Sequence, residues 1–128
     1  MAKVKKGYNG YALDPSARSY MLQNYPPKYN KVIAHHITFK FGVYEELPPA
    51  ADMARVVGYK NSGDGLEAFV VEINGSVKRP DGKLYHITYS LDPGKYSPKD
   101  SNTLLSTQGY NSVKPFIIKV KPSFFPMN

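Results

Sequence analysis

The tripeptide His-Ile-Thr occurs twice, as His36-Ile37-Thr38 and as His86-Ile87-Thr88, and takes up two of the three histidines in the chain. Each copy lies in a run rich in β-branched and aromatic residues, 31–41 and 83–91, that reads as a strand. Successive side chains of an extended chain point to opposite faces. In the first run His36, Thr38 and Lys40 therefore share one face, with Ile37, Phe39 and Phe41 on the other. In the second run His86, Thr88 and Ser90 share a face, opposite Tyr85, Ile87, Tyr89 and Leu91. Two strands of matched polarity bury their apolar faces in one core. Side by side, they present two imidazoles and two hydroxyls on the other side.

The rest of the chain supplies more strands and little helix. Residues 1–12 are polar and contain glycine, and read as a loosely ordered arm. Asp14-Pro15-Ser16 starts a helix over 15–25: Asp14 suits the N-cap, Pro15 the first helical position, and Pro26-Pro27 the stop. A short helix is expected over 50–54 and another over 103–107, capped by the Asp100-Ser101-Asn102 stretch. Segments 55–59 and 66–74 flank the turn cluster Asn61-Ser62-Gly63-Asp64-Gly65 and read as a hairpin. Pro80-Asp81-Gly82 turns the chain between 77–79 and 83–91, and 113–121 reads as a last strand. The duplicated tripeptide is the internal repeat, which predicts two lobes of strands with a site between them. The expected fold is α+β in a single domain over 1–128: compact, bilobal antiparallel sheets with few helices, and two His-x-Thr strands facing a central cleft.

Composition narrows the chemistry. The 128 residues contain no cysteine, which excludes thiol catalysis, disulfides and cysteine-based zinc sites, and fits a cytoplasmic setting. No apolar run reaches the roughly 20 residues of a membrane span, and the basic opening residues are not followed by a hydrophobic segment. The formal charge of +7, from 17 basic and 10 acidic residues, suits a phosphate-bearing partner, although scattered lysines also serve solubility alone. Eleven tyrosines add surfaces on which a nucleobase can stack. Tyr11, Tyr44 and Tyr89 are the candidates considered, with Tyr89 facing away from His86.

Two imidazoles beside one phosphodiester can cleave it without a metal. The neutral ring takes a proton from water or a ribose hydroxyl, and the charged ring gives one to the leaving oxygen. Thr38 and Thr88 can donate to the non-bridging oxygens, and Lys40 can add positive charge. Ser90 shares the second face, and Ser101 and Asn102, besides capping a helix, are secondary candidates for the phosphate. A metal site built from His35, His36 and His86 is disfavoured, because neighbouring strand residues point apart and no carboxylate stands at a matching spacing. His35 then serves packing or supports its neighbour. No cofactor is expected.

His36-Ile37-Thr38-Phe39 and His86-Ile87-Thr88-Tyr89 resemble the paired His-x-Thr/Ser-x signatures of the two-histidine (2H, LigT-like) phosphoesterase superfamily. The resemblance implies strands in two pseudo-symmetric lobes and metal-independent action on nucleotide phosphodiesters. It makes His36 and His86 the acid–base pair, and Thr38 and Thr88 the phosphate-holding hydroxyls. The stretch from Tyr85 to Asn102 is also similar to small phage proteins grouped with RNA-repair-like domains. The substrates implied are a cyclic oligonucleotide signal, a 2′,3′-cyclic phosphate, a 2′,5′-linkage or RNA. The chain departs from the pattern in lacking two full helices in its first half, which implies a trimmed fold. The alternative is a non-catalytic module that binds RNA or a cyclic nucleotide through charge and stacking.

Overall fold

The computed structural model describes residues 4–127. The element order is β1 (Lys6–Leu13), α1 (Pro15–Asn24), β2 (Lys31–Val32), β3 (His36–Tyr44), β4 (Met53–Asn61), β5 (Leu66–Glu72), β6 (His86–Leu91), α2 (Asp100–Gln108) and β7 (Asn111–Pro126). The class is α+β with few helices, as the sequence predicts, and two of the three expected form among the described residues. All strand pairs are antiparallel, in the order β6-β3-β1-β7-β4-β5, and β5 pairs back onto β6. Six strands thus close into a barrel, with β2 as an extra piece along β6. The expected two lobes are not formed. Closure lets one core serve both motif strands: Tyr11, Ile37, Val56, Phe69, Val71, Tyr85, Ile87, Tyr89, Ile118 and Val120 are buried in one cluster.

Helix α1 forms as expected. The Asp14 side chain accepts from the Ser16 N–H at 3.0 Å, and the helix buries Ala17 and Met21 against the barrel. Helix α2 is longer than 103–107 and begins at Asp100; its N-cap is Lys99, while the Asp100 carboxylate accepts from the Ser97 N–H at 2.8 Å. Leu104 packs with Leu66 and Leu91 in a second cluster outside the main core. No helix forms over 50–54, where the chain enters β4.

The entry segment is a strand rather than a loose arm: β1 lies between β3 and β7 and is bonded to both, while residues 1–3 lie outside the described part. Its glycines mark close approach rather than looseness. A Cβ at Gly10 would stand 2.0 Å from the Ile37 carbonyl oxygen, so a side chain there would push β3 away from β1.

Both motif strands carry a bulge directly after the tripeptide. Asn9 faces Lys40 and Gly10 faces Thr38, so β3 advances two residues against one at Phe39. Glu67 faces Ser90 and Ala68 faces Thr88, which repeats the irregularity at Tyr89 on β6. A bulge interrupts the alternation of faces. Ile37 and Ile87 are directly paired, and together with the matching bulges this makes the two motifs close to a local two-fold image of each other.

Gly10→Ala is expected to destabilise the protein by about 1–3 kcal/mol, the usual cost of forcing atoms into packed structure. Gly94→Ala, where a Cβ would meet only the Asp92 carboxylate at 3.4 Å, should stay within about 0.5 kcal/mol of the parent. Denaturant unfolding of both variants checks this, and equal stability of Gly10→Ala and the parent would contradict the close-approach role.

Candidate active site

His36 and Thr38 flank Ile37, and His86 and Thr88 flank Ile87, so all four project from the side of the sheet opposite the core. They line one cavity of about 450 Å³, together with Tyr8, Phe41, Arg79, Lys99 and Asn102. Continuing the Ile37–Ile87 register sets His36 across from Thr88 and Thr38 across from His86. Among the described residues, the lining carries two cationic side chains, Arg79 and Lys99, and no carboxylate.

Each histidine is held by a different device. His86 is 8% exposed, and its Nδ1 lies 3.0 Å from the Leu84 carbonyl oxygen. A carbonyl only accepts, so Nδ1 carries the proton and Nε2 keeps its lone pair in the neutral ring. Burial lowers the His86 pKa; the Leu84 bond opposes that shift and the Arg79 charge adds to it. His36 packs against the rings of Tyr8 and Phe125, at centroid distances of 5.3 and 5.0 Å. Burial first, then the neighbouring His35 and His86, pushes its imidazole down to about 4. Both rings are therefore neutral near pH 7 in the free protein, so the charged partner expected of an acid–base pair is missing until something supplies a proton.

His35 does not point away from His36. The expected alternation fails because β3 begins only at His36, and Ala34 is left-handed at φ 42°. Between the pairs Val32–Ser90 and Ile37–Ile87 one strand advances five residues while the other advances three. The surplus loops out at 33–35 and brings His35 Nδ1 to 3.0 Å from His36 Nδ1. Arg18 donates to the carbonyls of Ala34 and Ile33, at 2.9 and 3.5 Å, which holds the kink in place. Among the described residues, no three His, Asp or Glu side chains gather in a way that could hold a metal ion.

The hydroxyls differ as well. Thr88 donates to the Pro98 carbonyl at 3.1 Å and lies 2.8 Å from Ser101 Oγ. With the single Thr88 proton engaged, Ser101 is the donor of that pair. Ser101 is fully buried behind Thr88 and does not line the cavity, which corrects its assignment as a phosphate contact. Ser90 is corrected in the same way: the Tyr89 bulge turns it onto the buried Glu67, to which it donates at 2.5 Å. Lys40 is exposed and outside the lining, because the Phe39 bulge removes it from the face of Thr38 and Phe41 takes its place. Asn102, on α2, does line the cavity.

Of the tyrosines, Tyr11 and Tyr89 are buried and donate to the carbonyls of Pro49 and Tyr25, and Tyr44 lies outside the lining. Tyr8 lines the cavity instead, from the strand that reads as an arm. Arg79 was also missed. Its side chain is almost fully buried and grips Asp81 through Nε and Nη2 at 3.2 and 2.7 Å. The Pro80-Asp81-Gly82 turn is the signal that could have found it, since Asp81 can reach back two residues from that turn. Comparison of the chain with protein-family models, with curated proteins and with solved structures finds no match.

The His86 pKa, followed by NMR titration, is expected below 6.5 and should rise in Arg79→Met, since the guanidinium favours the neutral ring. A value at or above 6.5 in the parent, or a fall in the variant, would contradict this electrostatic picture.

Proposed function

We propose that the protein is a metal-independent phosphodiesterase that cleaves a nucleotide or oligonucleotide phosphodiester by two-histidine acid–base catalysis. One observation carries the reading: two imidazoles and two threonines from adjacent antiparallel strands line a single cavity whose charged lining residues are cationic. His86 acts as base, because its Nδ1 is tied to a carbonyl and its Nε2 is free to take a proton from water or a ribose hydroxyl. His36 acts on the leaving oxygen. Arg79 neutralises charge developing on the phosphoryl group, a role its burial strengthens. Thr38 and, once its bond to Pro98 is given up, Thr88 donate to non-bridging oxygens. Tyr8 and Phe41 offer ring faces to a base. A cyclic oligonucleotide, a 2′,3′-cyclic phosphate and a 2′,5′-linkage all fit this chemistry, and a cytoplasmic setting supplies them. Among the described residues no helix is long and apolar enough to cross a membrane.

The alternative is a module that binds RNA or a cyclic nucleotide without cleaving it. The neutrality of both imidazoles in the free protein favours it. Mutants separate the two readings. His36→Ala and His86→Ala should each lower kcat by about 100- to 10,000-fold with little change in substrate affinity. Thr38→Ala and Thr88→Ala should cost less, since each deletes one hydrogen bond to a phosphate that Arg79 still holds. Near-full turnover in either histidine variant would contradict the mechanism.

The acid-side limb of the kcat/KM profile is expected below pH 6.5. The sign follows from His86: a lowered pKa keeps the base neutral to lower pH, so activity survives acidification that would protonate an ordinary histidine. A limb centred above 6.5 would remove His86 from the base role.

A further inference from the structure

His36 faces a difficulty that the two-histidine reading leaves open. A general acid must hold a proton, yet His36 sits among Tyr8, Phe125, His35 and His86, where a charged ring is disfavoured. The chain next to it is built unusually. Ala34 is a buried, non-glycine residue in the left-handed region, its carbonyl held by Arg18 and its N–H donated to the Thr88 carbonyl at 3.0 Å. Such a conformation persists only where its surroundings over-determine it. Its effect is to set two consecutive imidazoles Nδ1 to Nδ1, one exposed and one half-buried.

Two facing Nδ1 atoms at 3.0 Å share a single proton, since two N–H groups would collide. Charge on the pair belongs on the exposed ring, where water solvates it. From the geometry we infer that His35 is a positioning and proton-supplying residue: as an imidazolium it donates Nδ1–H to His36 Nδ1, fixes His36 as the Nε2–H tautomer, and passes its proton inward during cleavage. The inference rests on the proposed phosphodiesterase reading.

In the step, the nucleophile's oxygen bonds to phosphorus and its proton goes to His86 Nε2. The bond from phosphorus to the leaving oxygen breaks, and that oxygen takes the Nε2 proton of His36. The His35 proton moves to His36 Nδ1 in the same event. His36 begins and ends as a neutral ring, so the charge never resides on it. His35 ends neutral; the site resets when His36 Nε2 takes a proton from solvent, the Nδ1 proton returns to His35, and His86 releases the proton it gained. The groups facing the pair are His86 across the cavity, with Arg79 beside it, and the uncharged rings of Tyr8 and Phe125.

Leaving-group dependence tests the relay. Two phosphodiesters are compared, one releasing a ribose alcohol, which needs a proton, and one releasing p-nitrophenolate, which does not. His35→Ala should slow release of the alcohol by about 10- to 100-fold, part of the effect of a general acid, and leave the nitrophenyl ester within about twofold. His86→Ala should slow both. If His35→Ala slows both esters alike, or neither, while His86→Ala remains impaired, the relay is overturned and the two-histidine reading stands. If the wild-type protein turns over neither ester, both fall. Nitrogen-15 NMR of the free protein gives a readout that needs no substrate: His36 should be protonated at Nε2, and that preference should weaken in His35→Ala. Protonation of His36 at Nδ1 in the parent overturns the inference.

Discussion

The pairing of Ile37 with Ile87 is the contact on which the rest of the molecule depends. Among the described residues it is the one backbone-paired position between β3 and β6, and it closes the barrel on that side. Both side chains are fully buried, so each contributes about 1.5–3 kcal/mol of apolar burial. Because the strands are antiparallel, the same pair brings each histidine opposite the other strand's threonine. Core formation and site assembly are therefore one event. A one-residue slip of either strand would turn its tripeptide over, putting its histidine and threonine into the core and its isoleucine into the cavity.

Around that pair the structure trades regularity for placement. The bulges at Phe39 and Tyr89 end the polar face after two residues on each strand. On β6 the break turns Ser90 inward, where it joins Tyr59 and the Lys28 N–H as the donors that satisfy the buried Glu67 carboxylate. On β3 it lets an aromatic, Phe41, rather than a lysine border the cavity. Positive charge comes instead from Arg79, fixed by Asp81, and from Lys99 on the loop before α2. A buried guanidinium acts in a low dielectric and is pre-oriented, which a solvated lysine on a strand edge is not.

Much of this was legible in the sequence because local chemistry dictated it. The cap at Asp14, the stop at Pro26 and the polarity of the two tripeptides each depend on a few neighbouring residues, and each is where the sequence places it. What was not legible depends on register. Gly7 and Gly10 look like disorder until a neighbouring backbone is seen against them. The two bulges arise from pairing with β1 and β5, and nothing within their own strands announces them. The same holds for Ala34, whose left-handed turn reverses the expected orientation of His35. Closure into a barrel rather than two lobes is a pairing of β5 with β6, a contact that a repeated motif cannot specify.

The phosphodiesterase activity proposed for this cavity uses the protein's own side chains alone. The most direct measurement is turnover by the purified wild-type protein, in excess EDTA, of a panel of 2′,3′-cyclic, 2′,5′-linked and cyclic oligonucleotide substrates. A metal-independent phosphodiesterase cleaves at least one of them at a rate unaffected by the chelator. Saturable binding without cleavage, or activity that vanishes in EDTA and returns with a divalent ion, would contradict it.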